Sequence, residues 1–221
     1  MQIQIGRVSI LLLLPVFVAV CVAPPRGVII LCAGDSITAG GYPHYLQRLL
    51  AADGIRARVL NRGRSGNRSA EYLSYLGHNE EELRGLKPDF ILLQLGTNDV
   101  RTDLDRTPTP EFTANMREIL RRLGAFRGRD GLPSRILLAA IPPVPEGGVF
   151  AFDRDSLRRV TEEINPAIQD LARAEGLAFV DNHGIFVGRP DLLPDVHPSR
   201  EGYKALAANW YSALKPLLKA R

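Results

Sequence analysis

Ser36 and His197 are the residues from which a chemical reading of this chain starts. Ser36 stands in Gly34-Asp35-Ser36-Ile37-Thr38 and His197 in Asp195-Val196-His197-Pro198. A serine hydroxyl is a weak nucleophile until a base within hydrogen-bond reach takes its proton, and the base needs an acceptor that orients it. His197 can take that proton and return it to a leaving group. Asp195 is the candidate to hold the imidazole in the right tautomer, with Asp191 or a backbone carbonyl as the alternatives. Attack on an acyl carbonyl creates an oxyanion, which needs donors already in place. Two further segments, Asn61-Arg62-Gly63 and Gly96-Thr97-Asn98-Asp99, supply candidates. The expected donors are the backbone N–H groups of Ser36 and Gly63 and the side-chain amide of Asn98. Gly63 suits the task because a residue without Cβ lets a ligand approach the backbone.

Plainer readings stand beside these. Ser36 alone would be an ordinary helix N-cap, and Asn98 alone an ordinary turn residue; it is the set that points to chemistry. Asp35 and Asp99 read as braces of their loops. His44, His78 and His183 are rival bases, and His183 is the strongest of them. Ser65 is a decoy, since no Gly-x-Ser-x-Gly elbow surrounds it. Gly66 reads as a structural loop glycine.

Something must bring these segments to one place. Short, nearly continuous apolar runs at Val28 to Ala33, Ala57 to Leu60, Phe90 to Leu95, Ile136 to Ala140 and Ala178 to Val180 read as strands buried on both faces. Helical stripes lie between them. Phe112, Met116, Ile119, Leu120 and Leu123 share one face behind a Thr109 cap. Leu157, Val160, Ile164, Ile168 and Leu171 share another, which Pro166 should kink. A last helix carries Tyr203, Leu206, Trp210, Leu214 and Leu217 behind Ser199. Alternating strands and helices predict a parallel sheet covered on both sides, with its site beyond the carboxyl ends of the strands. The polar segments above follow predicted strands one, two, three and five, so the rule gathers them at one edge.

These four blocks, in this order, resemble those of the SGNH hydrolases, the GDSL esterase and lipase superfamily. The resemblance rests on Gly34-Asp35-Ser36, Asn61 with Gly63, Gly96 with Asn98, and His197-Pro198. It implies a three-layer α/β/α sandwich around a flavodoxin-like, five-stranded parallel sheet. It also implies Ser36 as nucleophile, Ser36, Gly63 and Asn98 as oxyanion donors, and no metal or organic cofactor. The family's acid usually stands three positions before the histidine; here Pro194 holds that position and Asp195 stands two before. The reaction expected is cleavage of an acyl ester through an acyl-enzyme, with a short acyl group such as acetyl on a carbohydrate as substrate. Lysophospholipase or thioesterase action on longer chains, or acyl transfer to a sugar hydroxyl, are the alternatives. A Pro- and Gly-rich stretch from Pro142 to Asp153 is a candidate lip over the site, and Tyr42, Tyr72 and Tyr75 are candidate platforms for a sugar.

Composition sets outer limits. The chain has 221 residues, 45% apolar and 24% charged, with a net charge of +4. That balance gives no reason to expect a nucleic acid partner, and Arg117, Arg121, Arg122, Arg127 and Arg129 read as a solvated helix face. The two cysteines, Cys21 and Cys32, show no metal-ligand spacing. Arg7 followed by the uncharged run Val8 to Ala23 predicts an export signal or membrane tether over residues 1–23, with the hydrolase domain over 26–221. The expected location is therefore secreted, periplasmic or membrane-anchored.

Overall fold

The computed structural model describes residues 1–2, 27–147 and 151–219. The expected export segment and its Cys21 lie outside these residues apart from Met1 and Gln2. No described helix is long and apolar enough to cross a membrane.

Five parallel strands form one sheet: β1 (Val28–Gly34), β2 (Ala57–Gly63), β3 (Phe90–Gln94), β4 (Arg135–Ala139) and β5 (Ala178–Val180). Their order is β2-β1-β3-β4-β5. This is the flavodoxin-like order, in which the winding reverses between β1 and β3 and opens a crevice at their carboxyl ends. The register is fixed there by Gly34 facing Gly63 on one side and Gln94 on the other.

Strand side chains alternate between faces, which sorts one sequence run into two cores. Leu31 and Ala33 of β1, with Ile91 and Leu93 of β3, face a cluster with Phe112, Met116 and Ile168. Ile30 and Cys32, with Phe90 and Leu92, face a second cluster with Tyr42, Leu46 and Trp210. Each fully buried large side chain contributes roughly 1.5–3 kcal/mol relative to exposure. Helices α3 (Ser69–Gly85), α4 (Thr109–Gly124), α5 (Arg154–Arg159) and α6 (Asn165–Ala174) cover the first cluster, and α1 (Ser36–Ala39), α2 (Tyr42–Ala52) and α7 (Arg200–Lys219) cover the second. The three-layer sandwich expected from the sequence is the fold observed.

Local differences have physical reasons. Thr109 is the first helical residue of α4 rather than its cap, and its hydroxyl donates to Glu163 at 2.6 Å. Pro166 does not break its helix. It has no N–H for the Glu162 carbonyl, and the chain answers with a π turn, Val160–Ile164, between α5 and α6. Asn165, just past that turn, bonds both the N–H and the carbonyl of Ile141 and ties the turn to the exit of β4. Tyr42 and Tyr72 are not sugar platforms. Tyr42 is fully buried and stacks on Trp210 at 6.0 Å between centroids, and Tyr72 is 1% exposed. Of the arginine cluster, Arg121 and Arg122 both bond Glu118 at the helix surface.

Candidate active site

The chain turns sharply at the end of β1. Gly34 has φ +154°, and a Cβ there would lie 2.1 Å from the Gln94 carbonyl oxygen, so only glycine fits between β1 and β3. Asp35 follows as the N-cap of α1, accepting from the Ile37 N–H at 2.9 Å. The Ser36 N–H, at the first helical position, has no acceptor within the helix and is left to the crevice. Asp35 is fully buried, and burial, set against its hydrogen bonds, pushes its carboxyl up to about 6.

His197 reaches the same point from the other end of the chain. Its Nε2 lies 2.9 Å from Ser36 Oγ. Val196 and Pro198 on either side are buried. Ser199 caps α7, its hydroxyl accepting from the Gly202 N–H at 3.1 Å. Asp195, two residues before the ring, is half-buried. Asp191 is held by Arg189 in a two-pronged pair at 2.9 and 2.7 Å, which lowers its carboxyl.

Beyond β3, a 3-10 turn (Thr97–Val100) presents Asn98. One of its two amide protons goes to the Asn67 carbonyl at 2.9 Å, which fixes the side chain and leaves the second proton for a ligand. Asp99 turns inward, accepting from the Ser69 N–H at 2.9 Å and hydroxyl at 2.6 Å. It thereby braces the turn against the start of α3. Burial pushes its carboxyl up to about 6 as well.

Gly63 does something other than expected. Its N–H donates to Asn61 Oδ1 at 3.0 Å, and a Cβ would lie 2.3 Å from the Ala39 nitrogen. This glycine lets α1 close on β2. Three residues later Gly66, at φ +81°, lines the pocket with Ser36, Asn98 and His197. The sequence reading set it aside as structural. The available signal was its place between Ser65 and Asn67 in the polar loop after the second strand.

The pocket holds about 230 Å³, and Ser65, Thr97, Arg101, Phe152 and Val196 complete its wall. A larger hollow, about 410 Å³, opens at the opposite end of the sheet beside Gly27, Ile55 and Phe90, with no nucleophile and base together. His183, the rival base, lines a separate hollow with Asn165 and Asp181, and burial lowers its pKa. Among the described residues no group of three His, Cys, Asp or Glu side chains is placed to hold a metal ion.

Known proteins resemble this chain in sequence and in fold. An acetylxylan esterase of Xylanibacter ruminicola is 26% identical over 213 residues, covering 83% of this chain and 42% of that protein. This chain thus spans less than half of that relative's length. Esterase TesA of Pseudomonas aeruginosa is 27% identical over 190 residues, covering 77% of this chain and 86% of its own. An acetyl xylan esterase structure from Geobacillus stearothermophilus superposes with a TM-score of 0.68 at 24% identity, covering 85% of this chain and 94% of that one, and so shares the fold. The GDSL-like Lipase/Acylhydrolase family matches residues 32–205, and the chain belongs to that family.

Proposed function

We propose that this protein is a serine ester hydrolase that removes a short acyl group, acetyl foremost, from a carbohydrate hydroxyl. The observation that carries the reading is the 2.9 Å contact between Ser36 Oγ and His197 Nε2. A fold alone hosts many activities, and it is the site that carries the chemistry.

In the first half-reaction His197 Nε2 takes the Ser36 proton as Oγ attacks the acyl carbon. Charge develops on the carbonyl oxygen, for which the N–H groups of Ser36 and Gly66 and the second amide proton of Asn98 are the donors in the pocket wall. Such preorganised donors are each worth roughly 3 kcal/mol in the transition state. The imidazolium protonates the departing sugar oxygen, leaving Ser36 acylated. Water then enters and gives a proton to His197 as its oxygen attacks the acyl carbon, the acyl–Oγ bond breaks as His197 returns that proton to Ser36, and the acid leaves to ionise in solvent.

Pocket size favours the short acyl group. About 230 Å³ is below the roughly 300–1,000 Å³ of drug-sized sites. Phe152 and Val196 supply an apolar wall for a methyl group. The carbohydrate half rests on the acetylxylan esterases among the relatives. A screen of acetyl, butyryl and octanoyl chromogenic esters beside acetylated xylo-oligosaccharides tests both halves. Acetyl should be preferred and acetate released from the sugar. Preference for octanoyl with inert acetyl-sugars would overturn the reading. Export, supported by Arg7 and the apolar run after it, is part of the proposal and is checked by fractionating cells that express the full chain.

A further inference from the structure

On the flank beside the crevice, α2 and α7 leave an open groove of about 420 Å³ between them. Leu49, Ala52 and the ring of Tyr45 form its apolar side, and Arg48, Arg200 and Lys204 supply cations. Lys204 is engaged by Glu201 at 2.7 Å. Arg48 and Arg200 have no carboxylate partner among the described residues, and both are exposed. Two unpaired guanidiniums thus border one hollow.

The groove adjoins the catalytic elements through the chain itself. α2 begins just after α1, which carries Ser36. Arg200 stands three residues beyond His197, so their Cα atoms are at most about 11 Å apart. Tyr203 of α7 presses on the α1–α2 junction, where a Cβ at Gly40 would lie 2.0 Å from its hydroxyl.

We infer that this groove is a subsite for a carboxylate-bearing sugar, a uronic acid unit of an acidic polysaccharide, held while an acetyl group elsewhere on the same chain reaches Ser36. The inference rests on the acetyl-carbohydrate reading of the Ser36 site. Guanidinium forks match a carboxylate in two-pronged geometry, and a tyrosine face beside aliphatic carbons suits the apolar side of a sugar ring. A concave hollow fits a single bound carboxylate better than a flat anionic membrane.

Calorimetry on the full chain tests this, with oligogalacturonate against a neutral xylo-oligosaccharide of equal length. The expected result is at least tenfold tighter binding of the acidic chain, weakened by salt. The Arg48→Gln/Arg200→Gln variant should lose at least tenfold of that affinity with its thermal midpoint unmoved. Equal affinity for the two oligosaccharides, or acidic binding that survives both substitutions, would overturn the subsite. So would arginine-dependent sedimentation with anionic phospholipid vesicles in the absence of uronate binding. Wild-type turnover of a small chromogenic acetate reports separately on Ser36, so a failed groove and a failed hydrolase reading give different results.

Discussion

The two halves of the site are held in different ways. Ser36 and Asn98 follow β1 and β3, neighbouring central strands whose ends meet at Gly34 and Gln94. Each is fixed by short bonds close at hand. Asp35 caps the helix of Ser36, while Asn67 and Ser69 bind the turn that presents Asn98. His197 instead comes from the long connection between β5 and α7, where the 3-10 turn Gly184–Phe186 is the regular element. It is placed by the buried Val196 and Pro198 and by the Ser199 N–H donating to the Leu192 carbonyl at 2.8 Å. The sheet thus sets the nucleophile and the donors, and an anchored loop sets the base.

The largest expected effect falls where the halves meet. Ser36→Ala and His197→Ala should each lower kcat on a chromogenic acetate by roughly ten-thousand-fold or more, and the double variant should be little worse, because paired groups act as a unit. Independent, multiplying losses would break the pairing. Within the sheet-set half, Asn98→Ala should cost roughly 100- to 1,000-fold in kcat with little change in KM. A purely structural Asn98 would instead lower the thermal midpoint and leave kcat per folded molecule alone.

The buried carboxylates sharpen the comparison through pH. Asp35 is raised from 3.8 to about 6 by burial, so the folded protein binds more protons than the unfolded chain between about pH 4 and 6. Its destabilising effect is absent below about pH 4 and grows as pH rises through 6. Asp35→Asn keeps the acceptor for Ile37 and removes the charge. It should stabilise the fold by up to about 3 kcal/mol above pH 6 and by almost nothing near pH 4. Unfolding curves across that range check it, and a constant offset would contradict it. Gly63→Ala should cost about 1–3 kcal/mol of stability by forcing α1 off β2. Near-native stability with a lost oxyanion contribution would return Gly63 to the donor role.

The same division governs what could be read from the sequence. Strands buried on both faces are continuous apolar runs, so β1, β3 and β5 begin and end within a residue or so of their expected positions. Ser36, Asn98 and His197 were legible because they sit at or beyond such ends. Gly63 and Gly66 were not separable by type. One lacks a Cβ to admit a helix, the other faces the pocket at positive φ, and only the register of β2 against β1 distinguishes them. Tyr42 and Tyr72 were equally ambiguous, since an aromatic on a helix suits a core as well as a sugar until the buried face is known. Asp195 could be located by spacing, but the path of an irregular loop decides where its carboxylate points.

One experiment meets the central claim directly: stop the enzyme during turnover of a chromogenic acetate and map the modified peptide by mass spectrometry. The account predicts one acetyl group on Ser36, absent from the His197→Ala protein. Turnover with the acetyl group on another residue, or with no covalent acetyl on any residue, would contradict it.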